Sequence, residues 1–210
     1  MKLYDFGFSS AAYRVRIALN LKGINYDRVD IDLIKDGGIQ HSAAYRQVNP
    51  QELIPSLETD GRVIGQSLAI IEYLDECYPE PRLLPTYPMD RARVRQLAYA
   101  IACDIHPINN LSARQLLKKM GHSDEEIMAQ WYSHWITKGF TALETLVSQS
   151  KETGRFCHGD TPTIADICLV PQMANAYRFK VPVEAFPTLV RIDAAARVLP
   201  AFAAASPEKN

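Results

Sequence analysis

Pro79, Pro81, Pro85 and Pro88 crowd the stretch YPEPRLLPTYPMD at residues 78–90, and they limit what this chain can become. Each proline removes a backbone donor and holds the residue before it in extended geometry. Neither a helix nor the interior of a sheet can run through such a segment. It reads as a linker over 81–89, between a part spanning 1–80 and a part spanning 90–210. With 210 residues there is enough chain to bury a core on each side.

The two sides differ in periodicity. Before the prolines, KLYDF is a short apolar strand. AAYRVRIALNLKG then sets Val15, Ala18, Leu19 and the stem of Lys22 on one helical face and stops at Gly23. RVDIDL alternates, with Val29, Ile31 and Leu33 on one side and Arg28, Asp30 and Asp32 on the other. PSLETDGRVIG predicts a hairpin turning on Asp60-Gly61, and SLAIIEYLDECY a closing helix. The predicted order is β-α-β, a loop with a short helix, then β-β-α. After the prolines every signal is helical. Val94, Leu97, Ala98 and Ile101 share a face of a long helix that Pro107 bends or breaks. SDEE at 123–126 is a capping box ahead of Ile127, Trp131 and Trp135, and TIAD at 163–166 is a second.

Composition removes several function classes. A formal net charge of −1 argues against electrostatically driven nucleic-acid binding. No apolar run has signal-peptide or membrane-span length, so no membrane partner is expected and a cytoplasmic location is. Cys77, Cys103, Cys157 and Cys168 lack C-x-x-C spacing and read as buried or part-buried free thiols. The five histidines are not paired with them at ligand spacing, so no metal is expected.

Three short pieces can carry chemistry. In FGFSSAAYRVRIAL, Ser9 and Ser10 stand where a strand gives way to a helix. One serine there is an ordinary N-cap; the second exceeds what capping uses, and Ala11 and Ala12 clear space for a ligand. Unpaired N–H groups and the helix dipole favour an anion at that corner. In GQSLAIIEYL, Gln66 and Ser67 open another helix in the same way. In NPQELIPSL, a cis Ile54–Pro55 bond would turn the Ile54 backbone outward, to pair with a peptide-like ligand by strand addition.

These pieces, in this order, resemble the glutathione transferase family, and within it the zeta class. The likeness extends through SSAAYRVRIAL, LIKDGG, IPSL, QSLAIIEYL, PRLLP, GDTPTIADICLVPQMANAYRFKV and FPTL, nearly the whole chain. It implies the glutathione transferase fold: an α/β thioredoxin-like N-terminal domain (βαβ-α-ββα) that binds glutathione, plus an all-α C-terminal domain. It implies glutathione as cofactor, a small diacid as substrate and a homodimer as assembly. Site roles follow by position. Ser9 would donate to the glutathione sulfur, with Ser10 beside it and Ala11 to Arg14 lining the site. Gln40 would approach the glycyl end, Ile54 would pair through its backbone, and Gln66 and Ser67 would take the γ-glutamyl carboxylate. Asn110, Leu111 and Ser112 would line the substrate side, with His106 in a softer role. Arg178 is the first candidate clamp for a substrate carboxylate and Arg14 the second, each with an ordinary ion pair as its alternative.

The zeta class commonly reads S-S-C-S where this chain has Ser9, Ser10, Ala11 and Ala12, so a protein cysteine there cannot be required. The burden falls on glutathione's thiol. Moving a thiol from a pKa of about 8.5 to about 7 takes roughly 2 kcal/mol of preference for the anion. A hydrogen bond to a charged group supplies roughly 1.5–3 kcal/mol and a helix N-terminus roughly 0.3–1. One hydroxyl and one helix end suffice. The implied reaction is cis–trans isomerisation of 4-maleylacetoacetate to 4-fumarylacetoacetate, in tyrosine and phenylalanine breakdown, by reversible thiolate addition. Maleylpyruvate is the rival substrate, disfavoured because arginines expected of its isomerases are missing at Leu111-Ser112 and near Phe8. General glutathione transfer and a non-catalytic interaction module are the remaining alternatives.

Overall fold

A computed structural model describes residues 1–207 and divides the chain into two units. The first comprises Met1–Arg82 together with the segment from Leu199, and the second is Leu83–Val198.

The first unit is built on a four-stranded sheet in the order β2-β1-β3-β4. β1 (Lys2–Asp5) pairs in parallel with β2 (Asp27–Asp30) and antiparallel with β3 (Ser56–Thr59), which pairs antiparallel with β4 (Arg62–Gly65). The parallel pair needs a crossover, and α1 (Ser10–Leu21) supplies it. A short α2 (Ala43–Val48) precedes the hairpin, and α3 (Ser67–Cys77) closes the order. This is the predicted thioredoxin-like sequence of elements. The hairpin turns where expected, with Asp60 and Gly61 at φ 50° and 72° between the paired Thr59 and Arg62.

Three features depart from the expectations. β2 ends at Asp30 and does not run through Leu33, because the Asp32 carboxylate accepts the N–H groups of Ile34 and Lys35 and turns the chain. α1 has no solvent stripe: every residue from Ser10 to Leu19 is buried, Arg14 and Arg16 included. The cause is α10 (Pro200–Ala205), which belongs to the first unit. It packs on α1 with Phe202 fully buried, Asn20 donates to the Ala201 carbonyl at 3.0 Å, and Arg16 Nε donates to the Ala205 carbonyl at 3.0 Å. Finally, the proline segment is tied down at both ends. Lys22 donates to Asp75 and to the carbonyls of Tyr78 and Pro81, while Leu83 and Leu84 are buried.

The second unit is helical. α4 (Pro88–Tyr99) continues through a π-helical turn (Ala100–Ile105) and stops in a 3-10 turn that begins at Pro107. α5 (Leu111–Lys119) follows, then α6 (Asp124–Glu126), which passes through a second π turn (Ile127–Tyr132) into α7 (Ser133–Ser148). α8 (Ile164–Arg178) and α9 (Pro187–Arg197) complete it. Gly139 lets α7 close on the first π turn, where an added Cβ would lie 2.3 Å from Ile105 Cδ1. α8 forms the centre, buried from Ile164 through Met173. No helix among the described residues is long and apolar enough to cross a membrane.

Candidate active site

Ser9 is the N-cap of α1, extended at φ −74° and ψ 118°, and its Oγ accepts the Ala12 N–H at 3.2 Å. A hydroxyl that accepts from the helix keeps its own proton to donate. The half-buried Ser9 therefore caps the helix and keeps a hydroxyl proton to donate, at the end where the helix dipole favours negative charge. Ser10 and Ala11 follow as buried first-turn residues.

Arg14, three residues beyond Ala11 in α1, is 1% exposed and donates from Nη1 to Ser67 Oγ at 3.2 Å. That bond joins the two helix N-termini of the candidate site. Gln66, the N-cap of α3, is exposed at φ 64° and ψ 113°, and its amide donates to Gln51 Oε1 at 3.0 Å. Such a backbone is costly for a residue with a Cβ, and strain of this sort concentrates where a ligand is held. Ser67 is buried directly beneath it. Ile54–Pro55 is cis, and β3 begins only at Ser56, so Ile54 lies outside the ladder. Tyr45 and Asn49 bind the Leu53 carbonyl and Ser56 Oγ and so fix this corner from α2.

Gln40 lies in a 3-10 turn (Ile39–His41) after Gly37 and Gly38. It is 6% exposed, its Nε2 lies 3.0 Å from His41 Nε2, and its Oε1 has no partner among the described residues. The amide folds over Gly38 so closely that a Cβ there would meet it at 2.4 Å. A buried acceptor left open beside a loop is what a ligand's N–H group can satisfy. His41 and Arg46 both bind Glu52, holding its carboxyl below the usual range, and so brace the same loop.

The other residues singled out from sequence lie in the helical unit. Asn110 caps α5, accepting from Ala113 N–H at 3.1 Å and from the Ser112 hydroxyl at 2.7 Å. His106 and Leu111 are half-buried at the junction between the first π turn and α5. Asn109 is buried with both amide atoms unpartnered among the described residues. Arg178, at the end of α8, is exposed with its guanidinium 5.3 Å from the Phe179 ring centroid. Sequence reasoning missed its neighbour. Arg114 of α5 stands 5.1 Å from the same ring, and the buried Tyr132 meets that ring edge-on at 4.5 Å. Burial pushes the Tyr132 phenol up, and the two arginines pull partly against it. The available signal was spacing: Arg114 follows Leu111 by one helical turn, while attention to charge stopped at Leu111-Ser112.

The cysteines stand apart from this chemistry. Cys77 and Cys103 are exposed, contrary to expectation, while Cys157 and Cys168 are buried. Burial and the adjacent Asp166 raise the Cys157 thiol well above its ordinary value, which suppresses the thiolate. Among the described residues no group of three His, Cys, Asp or Glu side chains is arranged to hold a metal ion.

Residues 3–82 match the family model described as glutathione S-transferase, N-terminal domain, and residues 129–207 match that of the C-terminal domain. A probable maleylacetoacetate isomerase of Vibrio cholerae is 50% identical over 209 residues, covering 99% of this chain and 96% of that protein. The holo structure of a maleylpyruvate isomerase, described as a bacterial glutathione S-transferase of the zeta class, superposes with a TM-score of 0.96. It is 44% identical and covers 100% of this chain and 98% of its own. A maleylacetoacetate isomerase from Methylobacterium extorquens AM1, solved with bound malonate and glutathione, gives 0.92 at 40% identity, with 100% and 98% covered.

Proposed function

We infer function from one premise: the chain belongs to the glutathione S-transferase family and, within it, to the zeta class. It is a glutathione-dependent cis–trans isomerase with a small dicarboxylate as substrate. Of the two substrates that its relatives are named for, we propose 4-maleylacetoacetate, converted to 4-fumarylacetoacetate. The observation that carries the reading is the Ser9 cap, a hydroxyl that accepts from the helix and retains its own proton at a helix N-terminus.

When bound, glutathione supplies a thiolate whose reversible addition makes the conjugated double bond single, allows rotation and is undone by expulsion of the same sulfur. The chain's residues do the rest. Ser9 donates its proton toward the sulfur and, with the α1 dipole, favours its anionic form. Ser10 and Ala11 line the same corner. Gln66 and Ser67 receive the γ-glutamyl carboxylate at the α3 N-terminus, with Ser67 steadied by Arg14. That contact leaves Arg14 a support to the cofactor's site in place of a clamp on substrate. Ile54 offers its backbone to the cysteinyl unit and Gln40 its open acceptor to the N–H of the glycyl end. From the helical unit, Asn110, Ser112 and His106 line the substrate's surroundings, and Arg178 takes a substrate carboxylate. The family resemblance further supports a homodimer, a cytoplasmic location and a place in tyrosine and phenylalanine breakdown.

One observation favours maleylpyruvate as a second substrate, since the structure superposing at 0.96 is an isomerase of that compound. A glutathione-dependent assay of both substrates side by side tests the choice. We expect strong preference for maleylacetoacetate, and equal or reversed preference overturns it. Ser9→Ala should cut kcat/KM about 10–100-fold at neutral pH, the loss of one hydrogen bond to a charged sulfur. The deficit should narrow as pH rises, because alkali supplies the thiolate that the hydroxyl no longer favours. Ser10→Ala should cost less, and a Ser9→Ala enzyme with an unchanged pH profile removes the assignment.

A further inference from the structure

Arg114 carries a positive charge partly withdrawn from water, with no carboxylate in ion-pair range among the described residues and its Nε buried without a hydrogen-bond partner. Its observed contact is the face of Phe179, at 5.1 Å. Cation–π contact offsets only part of the cost of withdrawing a charge from water. The cost is raised further by a like charge, because the Arg178 guanidinium lies 5.3 Å from the same ring. Two arginines from different helices are thus gathered on one aromatic side chain that is itself braced by the buried Tyr132. No residue of α5 is fully buried, so the pairing is not imposed by a core that α5 fills. A paired cationic site of this kind becomes favourable when something with two negative charges occupies it.

We propose that Arg114 is a specificity-determining residue, taking the second carboxylate of a dicarboxylate whose first carboxylate is taken by Arg178. The inference rests on the isomerase reading for the identity of the physiological ligand, but not for the existence of the dicarboxylate site. Each guanidinium presents a planar fork that matches a carboxylate in two-point geometry, and both forks lie within 5.3 Å of the Phe179 ring centroid. A monocarboxylate can engage one arginine only. Selection for diacids is then a property of the pair, and it resides in a residue one helical turn beyond the Leu111-Ser112 positions.

The test compares succinate, an unreactive diacid, with butyrate, a monoacid of the same chain length. Binding to the glutathione-loaded protein is followed by ligand-observed NMR or calorimetry for wild type, Arg114→Met, Arg114→Lys and Arg178→Met. Arg114→Met should weaken succinate about tenfold, the loss of one charge-assisted contact, and leave butyrate and glutathione unchanged. Arg114→Lys should recover part of the loss, which separates charge from packing. Arg178→Met should weaken both acids. A succinate loss below about threefold for Arg114→Met, or a loss shared equally by butyrate, overturns the proposal. Thermal melts of both Arg114 variants should match wild type, since α5 contributes no core, and a fall of Tm with loss of glutathione binding would assign Arg114 to folding instead. If wild type distinguishes succinate from butyrate through Arg114 yet isomerises neither maleyl substrate, the functional reading fails and this site stands.

Discussion

Arg14 and Arg16 leave α1 about 200° apart, so two neighbouring guanidiniums serve opposite sides of one buried helix. Arg14 reaches Ser67 and the proposed cofactor corner, whereas Arg16 binds Asp5 at 2.6 Å, the Gly7 carbonyl at 2.9 Å and the Ala205 carbonyl. Both partners of the Arg16–Asp5 pair are fully buried, and Arg28 closes on the second Asp5 oxygen at 2.7 Å. A buried pair of this kind need not outperform apolar residues, but removing one member strands the other. Arg16→Met should therefore destabilise the protein by about 3–5 kcal/mol in urea denaturation. Lys2→Met, which removes an exposed pair with Glu58, should cost less than about 1 kcal/mol. Equal losses in the two variants would mean that burial does not set the value of these pairs.

At the scale of elements, the start of α8 depends on one carboxylate. Asp166 is fully buried and accepts from the N–H groups of Cys157 and Thr163 and from the Thr163 hydroxyl, each at 2.8–3.0 Å. Burial still raises its pKa above the usual carboxylate range. The folded state therefore holds this proton more tightly than the unfolded state. The stability it contributes is full below the unfolded value of about 3.8 and is lost as pH rises through the folded value. Asp166→Asn should remove that falling component, so the stability of wild type relative to the variant should rise toward acid pH in denaturation series. A difference independent of pH would contradict the raised pKa. The TIAD box that positions Asp166 was legible in sequence because a cap is a local motif, and so were the SDEE box and the Asp60-Gly61 turn. Ser9, Gln66 and Ser67 were legible for the same reason, as helix beginnings. The π turns, the second cis proline at Glu80–Pro81 and the meeting of Arg114 with Arg178 were not. Each depends on partners distant in sequence or on a small shift of helical phase that apolar spacing does not report.

On the scale of the whole molecule, the boundary between units is crossed twice, at Arg82 and again at Leu199. The prolines made the first crossing visible. Nothing in PAFAAA distinguishes a helix that rejoins the first unit from one that continues the second, so the return could not be read from that segment. Its energetic weight is testable. Phe202→Ala should cost about 3–5 kcal/mol, as deletion of a fully buried aromatic ring does, and should lower the melting temperature accordingly. Leu116→Ala, at an exposed position of α5, should change it by less than about 0.5 kcal/mol. A Phe202→Ala protein as stable as wild type would show that α10 is not part of the first unit's core. The placement of α10 also has a consequence for synthesis on the ribosome, where residues emerge at about 5–20 per second. Strands β1 to β4 leave the exit tunnel early, but the last carbonyl that Arg16 needs is made only after the helical unit has been translated. A nascent chain stalled before Leu199 must carry that guanidinium incompletely satisfied, so the first unit closes only after the second has been made.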